Sequence, residues 1–302
     1  KKIQSQGIRV FIWEDADYPS RLKQVDNSPP VLYCLGELVP EDDWAVAIVG
    51  TRRVTAYGRQ VAQDVATYLA GNGITVVSGL ARGVDAIAHE MCLQAGGRTI
   101  AVLGSGVDRI YPPEHRQLAG RIALQGAVVS DYAPGTPPDG INFPPRNRII
   151  SGLTLATVVI EAGETSGALI TAKFAADQGR EVFAVPGNIL AAQSKGTNRL
   201  IQQGARPLVN LDDFMDILNL TRADQHRAAR RTLPSDPAEA AVIQVMSREP
   251  MHVDEICSKA SLPIDQVSAT LAMMELKGLV YRVGGMQYAI TRENQGTYGV
   301  ES

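Results

Sequence analysis

Three cysteines, two tryptophans and four histidines are all that the 302 residues hold of these types. Cys34, Cys92 and Cys257 stand far apart, and no CxxC or Cys/His spacing links them. That pattern argues against a zinc site and a disulfide framework, and for reduced thiols of a cytoplasmic protein that serve as core residues. No apolar run approaches the ~18–20 residues that a membrane helix needs. The opening KKIQSQGIRV has no apolar h-region, so a secretory signal is expected to be absent or removed; it also lacks an initiator Met, as a trimmed end would. Positive charge is not in excess either: 29 Lys and Arg stand against 32 Asp and Glu. No Walker GxxxxGK[ST] occurs and the first loop is not GxGxxG, which excludes an NTPase P-loop and a dinucleotide fingerprint. His89 and His115 have no Ser or Cys in a nucleophile elbow near them, so structural or capping roles are expected.

What is present is a regular alternation of short apolar runs and helical stretches from Trp44 onward. AVAIV (45–49), ITVVS (74–78), TIAVL (99–103), GAVVS (126–130), TLATVVIEA (154–162) and EVFAV (181–185) read as strands. Helix spacing appears at Val61, Val65, Tyr68 and Leu69, over 84–94 and over 168–178. Apolar β-branched strands alternating with helices predict a parallel sheet covered on both faces, a Rossmann-like α/β fold. Residues 7–40, broken by YPSRL and SPP, read as an irregular extension of it. The Rossmann-like part is expected over 7–219, a polar Arg-bearing linker over 220–236 and a flexible tail over 292–302. Between the last two, 237–291 reads as three helices and a hairpin around Gly284–Gly285, a winged helix.

The strand ends carry the chemistry. They read Gly50-Thr51-Arg52-Arg53; Ser78-Gly79 through Arg82-Gly83; Gly104-Ser105-Gly106; Gly-Glu-Thr-Ser166-Gly167; and Pro-Gly-Asn. Glycine lets backbone N–H groups approach an anion, helix N-termini add partial positive charge, and arginine forks match phosphate oxygens. Five such loops at one sheet edge predict a phosphate-binding face, since parallel sheets bind ligands at the carboxyl ends of their strands. FPPRNR adds Phe143, Arg146, Asn147 and Arg148 as an aromatic–arginine platform for bases and backbone, with Tyr111 as a second stacking surface. Lys173 and Lys195 lie in or near the last loops. Asp85, Asp108 and Glu161 are expected to cap helices or hold arginines. No metal, cofactor or catalytic residue is indicated.

In this order, GTRR, SGLARGVD, LGSGVDRIYP, FPPRNRIISGL, EAGETSGALITA, VFAVPGN and GTNRLIQQGA resemble the DNA processing protein A (DprA/Smf) family over about residues 7–210. A winged helix like 237–291 is common there. The resemblance implies a non-enzymatic homodimer that binds single-stranded DNA, protects incoming DNA, and helps load the RecA recombinase in natural transformation. It assigns the family's DNA-contacting arginine to Arg52, with Arg53 beside it, and adds Arg82, Arg146 and Arg148. Thr51 stands where many members have Ser, and Pro113 where some have Lys. The N-terminal helical domain of many members is expected to be missing or cut away. Dimerisation is expected near Leu200 and Ile201. The runner-up is a nucleotide-trimming hydrolase of the lysine-decarboxylase-like Rossmann type, although AGETSG lacks that type's Gly pair and trailing Glu.

The winged helix is expected not to bind DNA. Residues 235–302 hold five Lys and Arg against nine Asp and Glu. Its recognition helix carries Asp265 and Glu275 with only Lys277, and Leu262, Val267, Leu271, Met274 and Leu276 look like core. A protein surface, or the basic face of the larger domain, is the expected contact.

Overall fold

A computed structural model of the chain describes residues 7–212, 214–218, 237–246, 250–276 and 280–290. The linker over 220–236 and the tail over 292–302 lie outside the described residues. Two compact units emerge, Lys1–Leu218 and Asn219–Ser302.

The first unit is built on nine strands: β1 (Ile8–Ile12), β2 (Val31–Gly36), β3 (Ala45–Val49), β4 (Thr75–Ser78), β5 (Thr99–Val102), β6 (Ala127–Ser130), β7 (Ala156–Val159), β8 (Glu181–Ala184) and β9 (Arg206–Pro207). The helices that accompany them include α1 (Ser20–Lys23), α2 (Ala56–Gly71), α3 (Val84–Gln94), α4 (Arg116–Gln125), α5 (Phe143–Gly152), α6 (Ala168–Asp177) and α7 (Lys195–Gln202). The sheet order is β1-β2-β6-β5-β4-β3-β7-β8-β9. From β6 to β9 every pair is parallel. The chain therefore winds outward from β3 in one direction and from β7 in the other, which makes the β3–β7 junction the topological switch point.

Both faces of β3 are buried, and its residues alternate between two cores. Val46 and Ile48 pack with Val65 and Leu69 of α2 and Ile87 and Cys92 of α3. Ala45, Ala47 and Val49 pack with Ile149 and Ile150 of α5 and Ala168 and Ala172 of α6. This two-sided burial explains why the strand reads as an unbroken apolar run. Cys34 and Cys92 are buried, and burial pushes both thiols up to about 12.

The stretch expected to be an irregular extension contributes β1 and β2. These strands pair antiparallel with each other, and β2 pairs antiparallel with β6, Tyr33 facing Ser130 and Gly36 facing Ala127. The prolines fall between the strands, at Pro19, Pro29 and Pro30, where they break no ladder. Leu32 and Cys34 are fully buried on the α5–α6 side, which anchors the added edge.

The second unit holds α8 (Pro237–Val245), β10 (Met251–His252), α9 (Val253–Ala260), α10 (Ile264–Leu276), β11 (Val280–Gly284) and β12 (Gln287–Ile290). Three helices and a hairpin form a winged helix, with β10 completing a sheet of order β10-β12-β11. Val267, Leu271 and Met274 are buried as expected, and Leu262 is partly buried. The side chain of Leu276 lies outside the described residues. The exposed positions of α10 include Asp265 and Glu275, and its residues 264–276 hold no Lys or Arg.

His89 is fully buried on α3, with Nδ1 2.7 Å from Thr99 Oγ1. Thr99 donates its own proton to the Val76 carbonyl at 2.7 Å, so its oxygen must accept from His89, which fixes the Nδ1–H tautomer. Burial, reinforced by the positive charges of His115 and Arg146, pushes the imidazole down to about 3, against 6.5 when exposed. A folded value below the unfolded one means stability that is complete above pH 6.5 and is lost as the pH falls toward 3, at up to about 1.4 kcal/mol per unit. Urea unfolding between pH 6.5 and 5, where carboxylates still contribute little, is expected to show this loss, and His89→Asn to flatten it; equal slopes in the two proteins would assign the loss elsewhere.

Candidate nucleic-acid interface

The loop after β3 takes its shape from a carboxylate on the neighbouring strand. Glu161, only 3% exposed, lies just past β7. Its carboxylate accepts from Thr55 N (3.0 Å) and Thr55 Oγ1 (2.5 Å), and its carbonyl accepts from Thr51 N at 2.7 Å. Thr55 also caps α2, accepting from Gly58 N at 3.1 Å. Gly50 is required because a Cβ there would lie 2.6 Å from the Val84 side chain. Gly83, at φ +78°, has its α-carbon turned into the Thr51–Arg52 backbone. Residues 51–55 are thereby pinned at both ends while the Arg52 and Arg53 side chains stay exposed.

These loops line a cleft of about 820 Å³ at the switch point. The end of β3 supplies Gly50 to Arg53, the β7–α6 loop supplies Gly163, Thr165, Ser166 and Gly167, and α5 supplies Phe143, Arg146 and Asn147. At the mouth, the Arg52 guanidinium sits 5.9 Å from the centroid of the Phe143 ring, and Phe143 stacks on Tyr111 at 5.6 Å. Neither Arg52 nor Arg53 has a carboxylate partner among the described residues. Arg146, 5% exposed, forms the floor. It donates to the carbonyls of Gly79 (2.9 Å) and Val102, and burial pushes it down to about 10, so it stays protonated at neutral pH. Asp85 lies beside it, accepting from the N–H groups of Gly79 and Ala81; burial pushes this carboxyl up, and Arg146 pulls it back. A Cβ on Gly79 would lie 2.7 Å from the Arg146 guanidinium, so glycine is what admits that side chain.

Of the expected site residues, the cleft gathers Gly50, Thr51, Arg52, Arg53, Phe143, Arg146, Asn147, Ser166 and Gly167. Gly79 and Arg82 line a smaller groove that shares Arg52, Tyr111, Phe143 and Arg146 with it. Others are placed elsewhere. Arg148 points away, bound to Asp131 at 2.8 Å and to the carbonyls of Asn27 and Pro145. Ser78 donates to the Ile48 carbonyl inside the sheet, and Ser105 to the Arg109 carbonyl. Gly104 and Gly106 make room for Phe143 and for the Ala133–Gly135 backbone. Lys173 lines a separate groove beside Arg199 and Leu200, and Lys195 is exposed at the start of α7. The Pro-Gly-Asn loop after β8 folds onto α7, Gly187 bonding to Asn198.

Asp85 and Glu161 hold backbone, as expected of carboxylates in such loops, and Asp108 accepts from Gly135 N at 2.7 Å. Sequence patterns missed Thr55, which the rule of Ser/Thr preceding a helix could have found. They also missed Glu114, which binds Arg82 from 32 residues away and has no local signal. Among the described residues, no group of three or more His, Cys, Asp or Glu could hold a metal ion, and no helix is long and apolar enough to cross a membrane.

A Rossmann-like sheet with an arginine-lined cleft at its switch point, joined in one chain to a winged helix, defines a two-part class of α/β proteins. Residues 9–219 match the family described as DNA recombination-mediator protein A, and 226–286 match the DprA winged helix domain; the chain belongs to this family. Protein Smf of Synechocystis is 37% identical over 94% of this chain and 81% of its own length. DNA processing protein DprA of Bacillus subtilis is 41% identical over 71% of this chain and 73% of its own. Among solved structures, DNA processing protein A of Streptococcus pneumoniae superposes with a TM-score of 0.66 at 39% identity, covering 70% of this chain and 74% of that one. The Helicobacter pylori protein, solved for its single-stranded DNA binding mode, superposes with a TM-score of 0.63 at 31% identity, covering 72% and 96%.

Thr55→Ala removes both the α2 cap and the hydroxyl bond to the buried Glu161, while the bond from the residue 55 backbone N–H stays. The expected loss is about 1–3 kcal/mol of stability by urea unfolding. A change under a few tenths would show that the clamp is not needed to hold the loop.

Proposed function

We propose that this protein captures single-stranded DNA in the switch-point cleft, without turnover, protects it, and helps load it onto the RecA recombinase during natural transformation. One observation carries this: two exposed guanidinium groups, Arg52 and Arg53, stand without carboxylate partners among the described residues at the mouth of a cleft with a third arginine in its floor. Phosphates would meet the rim arginines, beside the Gly163–Gly167 loop that leads into α6. The Arg52–Phe143–Tyr111 stack offers planar faces to bases of any sequence. The single-stranded DNA binding of the Helicobacter pylori relative supports the choice of strand, and the recombination-mediator description of the family supports the link to a recombinase. A cytosolic homodimer fits the same picture, with the second groove beside Leu200 as the face for the partner copy.

Gel shifts with single-stranded and duplex DNA across a salt series test this. Retention should favour the single strand and fall with salt. Arg52→Ala should weaken binding roughly tenfold on every sequence and lower the salt slope by ~0.7, the share of one phosphate contact. No base should be released from a nucleoside monophosphate. Equal retention by wild type and Arg52→Ala would remove the cleft from the reading.

Because the exposed face of α10 lacks basic residues, deletion of 235–302 is expected to leave single-strand affinity within about twofold. A loss of tenfold or more would make the winged helix part of the DNA site.

A further inference from the structure

Arg82 is the groove arginine that donates to an exposed carboxylate. Its Nε donates to Glu114 Oε1 at 2.6 Å, a charge-assisted bond on a short 3-10 turn, Pro113–His115, that leads into α4. The turn is held in place from behind, where His115 Nδ1 lies 2.8 Å from the Leu80 carbonyl. Both members of the pair are about half exposed, Arg82 at 57% and Glu114 at 49%, so water and solute reach them. Arg82 shares its groove with Arg52, Arg146, Tyr111 and Phe143, which places it one step along the rim from the unpartnered arginines. The contrast with Arg148 is instructive. Its partner Asp131 is mostly buried, and two backbone carbonyls complete its donor set, so that guanidinium is structural. Among the described residues Arg82 has one hydrogen-bond partner, on the surface, in the groove that adjoins the cleft.

From this geometry we infer that Glu114 is a built-in stand-in for a backbone phosphate at Arg82: its carboxylate occupies the position that a phosphodiester of a bound strand takes, and it leaves when the strand arrives. The chemistry is matched, since a carboxylate and a phosphodiester each present two anionic oxygens to a guanidinium fork. Exposed ion pairs of this kind contribute little net stability, so the exchange is cheap for the fold. The pair nevertheless sets a threshold, because an isolated weak anion does not displace a tethered carboxylate, whereas a strand already held at Arg52 and Arg53 presents its next phosphate at high effective concentration. Glu114 therefore tunes affinity and selects for multivalent polyanions over single phosphates.

The inference rests on single-strand binding in the cleft, and the test separates the two. Full-length wild type, Glu114→Gln, Arg82→Ala and the double variant are titrated with fluorescent oligothymidylate across a salt series, and with inorganic phosphate as competitor. Expected is a two- to fivefold tighter oligothymidylate complex for Glu114→Gln, about the worth of an exposed ion pair. Its salt slope should be steeper by up to ~0.7, because the Arg82–phosphate contact then forms without freeing a carboxylate that takes up cations in its place. Phosphate should also compete better against Glu114→Gln than against wild type. The gain should vanish in the Arg82→Ala background. Unchanged or weaker binding by Glu114→Gln overturns the inference, and so does a gain that persists without Arg82, which would make Glu114 a general repulsive charge. If wild type retains no strand at all, the function itself fails and this inference with it; retention without the Glu114 effect sinks the inference alone.

Discussion

The β3–β7 junction is held by one carboxylate. Glu161 is almost completely buried at the point where the two windings of the sheet part, and a buried charge without partners costs several kcal/mol. Its partners are the Thr55 N–H and hydroxyl, both on the loop that follows β3. The need to satisfy Glu161 thus dictates where residues 51–55 run, and with them the start of α2. Since its carboxylate bonds go to the Thr55 backbone and hydroxyl, Glu161 claims no arginine among the described residues, and Arg52 and Arg53 remain available at the rim. The same carboxylate explains Gly58, where a Cβ would collide with it.

The central strands were legible because burial on both faces writes an apolar β-branched run directly into the chain, as in AVAIV. β1 and β2 were not, although Leu32 and Cys34 alternate as half-buried strand residues do. Their place depends on pairing between Tyr33 and Ser130 or Gly36 and Ala127, almost a hundred residues apart, and no local pattern reports such a partner. Prolines on either side then favour the reading of a loop. The short β9 at Arg206–Pro207 was hidden for a related reason: two residues have no periodicity to detect.

In the site, the glycines were readable as a set but not one by one. Gly50, Gly79 and Gly83 serve the cleft through close approach of Val84, Arg146 and the Thr51–Arg52 backbone, whereas Gly104 and Gly106 serve the packing of Phe143 and the loop over it. Arg146 and Arg148 show what a linear motif conceals. On a helix, residues two apart diverge by about 200°, so both cannot face the same cleft. α5 sends Arg146 into the floor and Arg148 to Asp131. Taking FPPRNR as the start of a helix, and not as an aromatic–arginine platform, forces a choice between them.

The two kinds of cleft arginine do different physical work. Arg146 is desolvated and fixed by the Gly79 and Val102 carbonyls, and the adjacent Asp85 offsets part of its charge, so it contributes shape and oriented N–H groups more than long-range field. Arg52 and Arg53 are solvated and uncompensated among the described residues, so the attraction felt by an approaching polyanion originates at the rim. That division reconciles a chain with three more acids than bases with the proposed anion site. Affinity for a phosphate backbone requires a few guanidinium groups left unpaired where strand ends converge, and the sheet's switch point, clamped by Glu161, is where this sequence leaves them.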